Sequence, residues 1–309
     1  MPTEPGFTLV QLRYFAAAAE LRSMTAAAKE LVVSQSAIST AIAHLERDLG
    51  VQLLLRRHAQ GLALTEAGAR FLQELRGFLA HASDLVDVAH GLGEALIGDL
   101  TVGVFQTLAP FHMPRLLTDF ASRYPAVRVS LLEGQTEEME QALLSGACEL
   151  ALLYDLDLDE HIETEPLAEV PPYVIVPPEH PLAATDGVRL ADLAGEPLVL
   201  LDLPHSKEYF QALVQRSRVE PRIQYRTRSY EMVRSLVAAG RGYAILNQRP
   251  ASDVTYDGGR VAALPLRDDV PALPMVLARV KGVRLTARAS AFAARCRALL
   301  GEPSTKQMT

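Results

Sequence analysis

The chain has little cysteine, no long apolar run and a shortage of positive charge. Only Cys148 and Cys296 occur among its 309 residues, without the spacing of a metal site or a disulfide framework. A reduced, cytoplasmic protein, with both thiols packed in apolar surroundings, is the expectation. No stretch of about 18 uncharged apolar residues exists, so neither a membrane-spanning helix nor a membrane partner is expected. The opening residues, Met1-Pro2-Thr3-Glu4-Pro5, lack a basic segment followed by an apolar one, and no export signal is expected there. A nucleophile elbow, a phosphate-binding loop, a Gly-x-Gly-x-x-Gly turn and a metal-ligand cluster are all missing, which argues against an enzyme and a cofactor.

The net charge of −7 argues at first against nucleic acid. Its distribution changes that reading. Residues 1–65 hold six Lys/Arg against five Asp/Glu, so the acidity lies in the remainder. A nucleic-acid contact made by this least acidic part would use few phosphates, and its affinity is expected to come from presenting two or more copies.

The stretch Ser34 to Arg47 stands out among what is present. Ala37, Ile38, Ala41, Ile42, Leu45 and Leu49 recur at three- and four-residue spacing and form one apolar face. Gln35, Ser36, Ser39, Thr40, Ala43 and Arg47 lie on the other side, with short hydroxyls and one amide at the front end. A short helix, Thr25 to Leu31, and a tight turn at Val32-Val33-Ser34 precede it. This is the pattern of a helix-turn-helix, whose second helix reaches base edges with its first residues. The plain alternative is an amphipathic helix on the surface of an all-helical domain. Gly50 stops the helix. Val51 to Arg57 and Leu62 to Leu64 read as two short strands around a turn at His58 to Gly61, a wing that puts Arg56 and Arg57 where a phosphate backbone could run. For these the alternative is a solvated turn.

Thr65 caps a long helix, Glu66 to about Leu92. Leu72, Leu75, Leu79, Ala82, Val86 and Ala89 hold heptad positions along it. Such a helix is roughly 40 Å long and has no core of its own, so a dimer through residues 66–92 is expected. Packing of the stripe against the chain's own domain is the alternative. Gly91, Gly93 and Gly98 mark a joint. Beyond it strands alternate with helices in βαβαβ order, which indicates parallel strands with right-handed crossovers. Tyr173–Val176, Leu198–Leu201, Ile223–Tyr225 and Gly242–Leu246 are read as a second sheet, and Met275–Arg279 as a strand returning to the first.

From Leu9 to Gly68 the chain closely resembles the LysR-type transcriptional regulators. The matching residues include Leu12-Arg13-Tyr14-Phe15, Ser23 to Ala28, Leu31-Val32-Val33-Ser34-Gln35-Ser36-Ala37-Ile38-Ser39, Leu49 to Leu53 and Leu64 to Gly68. Weaker similarity continues through Gly146 to Ala151 and Val237 to Gly242. Ser36 stands where the family usually has Pro, Thr40 where Arg or Lys is frequent, and Leu54 where the wing usually has Phe.

The resemblance implies a fold of class α/β: an N-terminal winged helix-turn-helix (1–65), a long linker helix (66–94), then a two-lobed effector domain like a periplasmic binding protein (95–301). Its first lobe would comprise 95–165 and 270–301, its second 166–269, and residues 302–309 would form a disordered tail. It also implies a ligand-responsive regulator bound to promoter DNA as a dimer or tetramer, with a small-molecule inducer and RNA polymerase as partners. DNA-binding residues would be Gln35, Ser36, Ser39, Thr40, Arg47, Arg56 and Arg57. Ligands in open parallel sheets sit beyond the carboxyl ends of strands. By that rule and the resemblance, the effector site is expected at Gln106, Thr107 and Thr136, with Arg226 or Arg228 supplying charge to an anionic metabolite and His205 nearby. A solute-binding module without a regulatory role is the alternative.

Overall fold

The structure is a computed structural model that describes residues 6–57, 61–89, 96–204, 209–210, 213 and 221–301, with the side chains of 56, 57, 80 and 83–89 left aside. The wing tip with His58, the expected effector residue His205 and the tail after Gly301 therefore lie outside the described residues. The chain forms two compact units, one made mainly of residues up to Leu96 together with the short segments Leu144–Ala147 and Val283–Ala287, the other of the remainder from Ile97 onward.

The first unit opens with α1 (Leu9–Glu20), where Thr8 and Gln11 form a reciprocal capping box. Ser23 caps α2 (Met24–Glu30) by accepting the Ala26 N–H. Ala27 and Ala28 are buried there, and their small size lets α2 approach its neighbours closely. Ser34 caps α3 (Gln35–Leu49), accepting the Ala37 N–H at 3.1 Å. Ile38, Ile42 and Leu45 carry the buried face, each contributing about 1.5–3 kcal/mol by leaving water. Ala37 is exposed, so the apolar stripe is narrower than the sequence pattern drew it. Gly50 ends α3 in the left-handed conformation at φ 68°. Strands β1 (Leu54–Arg57) and β2 (Gly61–Leu64) pair antiparallel as the wing.

Helix α4 (Glu66–Ala89) starts under Thr65, whose hydroxyl accepts the Gly68 N–H at 2.9 Å. Here the expectation of an unsupported stripe needs correction. Leu72 and Leu75 are 5% and 4% exposed within the same core as Phe15, Ile38 and Leu45, and Phe71 and Leu79 pack against it. The first half of the heptad stripe is covered by the chain's own domain. Phe78, at 55% exposure, faces the other way.

In the second unit β3 (Gly98–Phe105), β4 (Val127–Gly134) and β5 (Leu150–Tyr154) are parallel, connected by α5 (Ala109–Arg123) and α6 (Thr136–Leu144). The sheet is extended by β12 (Leu273–Val280), antiparallel to β5, and by β6 (Ile162–Val170), antiparallel to β12, giving the order β4-β3-β5-β12-β6. Strand β6 runs through Glu165 and Pro166, where the expected first lobe ends and the second begins. That places the crossing after Val170, and the first sheet keeps residues up to that point. Pro166 is tolerated because β6 is the edge strand and lies beside a register shift in its pairing with β12.

The expected second sheet is split. Strand β7 (Tyr173–Val176) pairs with β10 (Ala244–Leu246) and β11 (Ala262–Pro265), while β8 (Pro197–Leu201) and β9 (Arg222–Thr227) form a parallel pair. The two groups join at Tyr243, which exchanges backbone hydrogen bonds with Pro197 and Val199. A Cβ on Gly242 (φ 134°) would sit 2.0 Å from the Pro197 carbonyl, so this junction requires glycine. Helix α7 (Tyr230–Ala238), capped by Ser229, and α8 (Ala287–Leu300) complete the unit. Phe292 of α8 meets Phe120 of α5 edge to face with ring centres 5.1 Å apart, covering the first sheet.

Candidate nucleic-acid interface and pocket

The cap at Ser34 and the buried Ile38–Ile42–Leu45 ridge fix the roll of α3 about its own axis. Gln35, Ser36, Thr40 and Arg47 are exposed as a consequence, and Ser39 is half-buried at the margin of the face. The Ser36 hydroxyl lies 2.9 Å from that of Ser34, so the residue that replaces the usual proline is tied to the cap. Arg56 and Arg57 belong to strand β1 by their backbone, and their side chains lie outside the described residues. Sequence reasoning missed two features. Glu46 turns from α3 to the wing, accepting the Leu53 and Leu54 N–H groups on one carboxylate oxygen. Val32, in the turn before α3, is 89% exposed at φ 55°.

A small pocket of about 20 Å³ lies where the carboxyl ends of β3, β5, β8 and β10 converge. Thr107, Tyr154, Tyr230, Asn247 and Gln248 bring its polar groups, and Leu201, Phe210, Leu246 and Leu273 form apolar walls. The polar groups are linked. Gln248 Nε2 donates to the Tyr154 hydroxyl at 3.0 Å. The Gln248 carbonyl accepts the Tyr173 hydroxyl at 2.8 Å and also that of Tyr230. Burial pushes the Tyr154, Tyr173 and Tyr230 phenols up, so all three remain protonated donors at neutral pH. Asn247 Nδ2 donates to the Val170 carbonyl at 3.0 Å, while its buried Oδ1 has no hydrogen-bond partner. Burial also holds the nearby His112 imidazole below its ordinary value, against an opposing hydrogen bond with Gln248.

Of the residues expected from sequence to bind an effector, Thr107 lines this pocket. Gln106 follows β3 and is held by a bond from its N–H to the Gly134 carbonyl. Thr136 is 3% exposed at the start of α6 and is not among the lining residues. Arg226 reaches Asp202 at 3.8 Å on an exposed strand end, and Arg228 is exposed, neither of them on the pocket wall. His205 lies outside the described residues. Tyr154, Tyr230, Asn247 and Gln248 were not anticipated, although Asn247-Gln248 follows a recognisable strand directly, which is the signal the strand-end rule uses.

Both cysteines are free and buried. Burial pushes Cys148 and Cys296 up to about 12. Among the described residues there is no cluster of His, Cys, Asp or Glu able to hold a metal ion, and no helix long and apolar enough to cross a membrane.

A winged helix-turn-helix followed by a pocketed α/β unit defines a DNA-binding regulator with a small-molecule site. The bacterial regulatory helix-turn-helix profile of the lysR family matches residues 9–69, and the LysR substrate binding domain profile matches residues 93–301. The chain belongs to the LysR family of transcriptional regulators. It is 30% identical over 280 residues to a hydrogen peroxide-inducible genes activator of Pectobacterium carotovorum subsp. carotovorum, covering 90% of this chain and 91% of the relative. HinK, a LysR family regulator from Pseudomonas aeruginosa, superposes with TM-score 0.66 at 37% identity, over 96% of this chain and 99% of that one. CbnR in complex with its target DNA superposes with TM-score 0.56 at 27% identity, over 94% of this chain and 99% of that one.

Proposed function

We propose that the protein docks α3 in the major groove of promoter DNA, with Gln35, Ser36, Ser39 and Thr40 at base edges and Arg47, Arg56 and Arg57 at phosphates. The support is the exposure of Gln35, Ser36, Thr40 and Arg47 on the face opposite the buried ridge. A side-chain amide such as Gln35 on adenine contributes about 1–3 kcal/mol of discrimination. With Thr40 in place of a cation, phosphate attraction is weak, and affinity comes from multiplicity. The chain pairs through the part of α4 beyond Leu79 together with Phe78, and assembles further into a tetramer that engages RNA polymerase at the promoter in the cytoplasm. The domain limits proposed for this regulator are 1–65, 66–94 and 95–301.

The effector is a small polar metabolite held in the pocket at Thr107. The observation that carries this reading is the unpartnered Oδ1 of Asn247 in a pocket that also presents hydroxyls from Thr107, Tyr154 and Tyr230. Rotation of the Asn247 amide would turn that buried acceptor toward a ligand N–H or O–H. An anionic effector would be met by hydroxyl donors, with Arg226 and Arg228 at a distance. Because Tyr154 and Gln248 stand at the ends of strands in different sheets, ligand binding would favour one arrangement of the sheets and shift the assembly on DNA. Thermal-shift screening of carboxylic acids, amino acids and aromatic acids tests the site. A hit must lose its shift in Thr107→Val and Asn247→Leu; a shift unaffected by both substitutions sinks the assignment.

A further inference from the structure

We infer that Val32 is a base-reading residue that contacts the methyl group of a thymine in the bound duplex; the inference rests on the docking of α3 in the major groove. Three non-glycine residues adopt positive φ among the described residues: Arg22, Asp157 and Val32. Val32, at φ 55°, is the only one of the three with a branched Cβ, the side-chain type that pays most for this conformation. The conformation itself is demanded by the turn. The Val33 N–H returns to the Ala28 carbonyl at 2.9 Å and closes α2, at a position where glycine or asparagine is the usual solution. Packing does not explain the valine either. Its neighbour Val33 packs against the domain core, whereas Val32 is 89% exposed. An apolar, strained side chain is thus displayed to solvent three residues before Gln35, at the end of α3 that reads bases.

The chemistry of an isopropyl group narrows what it can recognise. It makes no hydrogen bond to phosphate or to a base edge. The apolar group that the major groove of B-DNA presents is the C5 methyl of thymine. Val32 therefore adds an apolar contact beside the amide of Gln35, and the preferred half-site carries a thymine next to the base that Gln35 reads.

The test uses full-length protein and duplexes enriched from a random-sequence library. Each thymine of the enriched half-site is replaced in turn by deoxyuridine, which lacks only the methyl group. At one position the replacement weakens the wild-type protein about fourfold, the size expected for one methyl leaving an apolar contact. Val32→Asn binds the two duplexes equally, a coupling read directly from the double-substitution cycle. Val32→Asn also unfolds at a higher temperature than wild type, because asparagine accepts the left-handed turn, so loss of the coupling is not loss of fold. The inference is overturned if no thymine shows a methyl dependence that Val32→Asn abolishes. Failure of the wild-type protein to enrich any duplex would overturn DNA docking itself, and this contact with it.

Discussion

The Leu53 N–H donates to the Glu46 carboxylate at 2.7 Å, and the Leu54 N–H donates to the same oxygen at 3.0 Å. Glu46 belongs to α3, and Leu54 opens the wing. One carboxylate therefore ties α3 to the wing, the two parts proposed to contact DNA, and satisfies the two backbone donors where β1 begins. Glu46→Ala strands both donors in a partly buried place and is expected to cost about 2–3 kcal/mol. Glu46→Gln keeps an acceptor and restores part of the loss. Urea unfolding with a shift in midpoint measures it; an unchanged midpoint in Glu46→Ala would show that water replaces the carboxylate.

Both cysteines are expected to be unreactive toward peroxide, although the chain is similar to a hydrogen peroxide-inducible genes activator. With both thiols pushed up to about 12 by burial, the thiolate fraction at pH 8 is about one in ten thousand. Micromolar peroxide is expected to leave DNA affinity unchanged, and the Cys148→Ser, Cys296→Ala double variant to behave as wild type. Mass spectrometry after peroxide treatment supplies the check: a sulfenic acid or disulfide at either position within minutes contradicts the assignment.

Phe78 decides the assembly proposed for α4. It is 55% exposed on a helix whose other apolar residues at 71, 72, 75 and 79 are already covered. Phe78→Glu leaves the domain core alone and puts a charge where a partner helix would pack. Sedimentation should show the assembly constant weakened at least tenfold, while Leu75→Glu unfolds the domain instead. Equal sedimentation of wild type and Phe78→Glu would move the interface elsewhere.

The winged helix-turn-helix was legible because helix register and burial are the same information. Once Ile38, Ile42 and Leu45 are assigned inward, the exposure of Gln35 and Thr40 follows. Gly68 shows the limit: a Cβ there would lie 2.0 Å from the Leu53 carbonyl, a close approach that no local pattern reveals. Strand β6 escaped notice because Glu163, Glu165, Pro166 and Glu169 break the apolar pattern, which an edge strand with one paired side permits. Leu72 and Leu75 of the α4 heptad stripe are buried, but periodicity does not say which surface covers a stripe. The pocket was least legible. Thr107, Tyr154, Tyr230 and Gln248 come from segments far apart in the chain, and the hydrogen bonds that join them exist only after the two sheets meet.

His112 makes the pocket's region sensitive to acid in a definite direction. Burial favours its neutral form and lowers its proton affinity below the ordinary 6.5, against the opposing bond with Gln248. Above pH 6.5 the imidazole is neutral in folded and unfolded chains alike and contributes no pH dependence. Below that value the unfolded chain takes up a proton that the folded one resists, so stability falls as pH drops until the folded-state value is passed. Melting temperatures measured from pH 7.5 to 5.0 should decline for wild type and decline less for His112→Phe. The difference between the two curves must open below pH 6.5, since other groups contribute equally to both. Because His112 bonds to Gln248, whose amide also holds Tyr154, effector affinity should weaken over the same interval in wild type and stay level in the variant. A constant difference in melting temperature across the range would mean that His112 is protonated as readily in the fold as outside it.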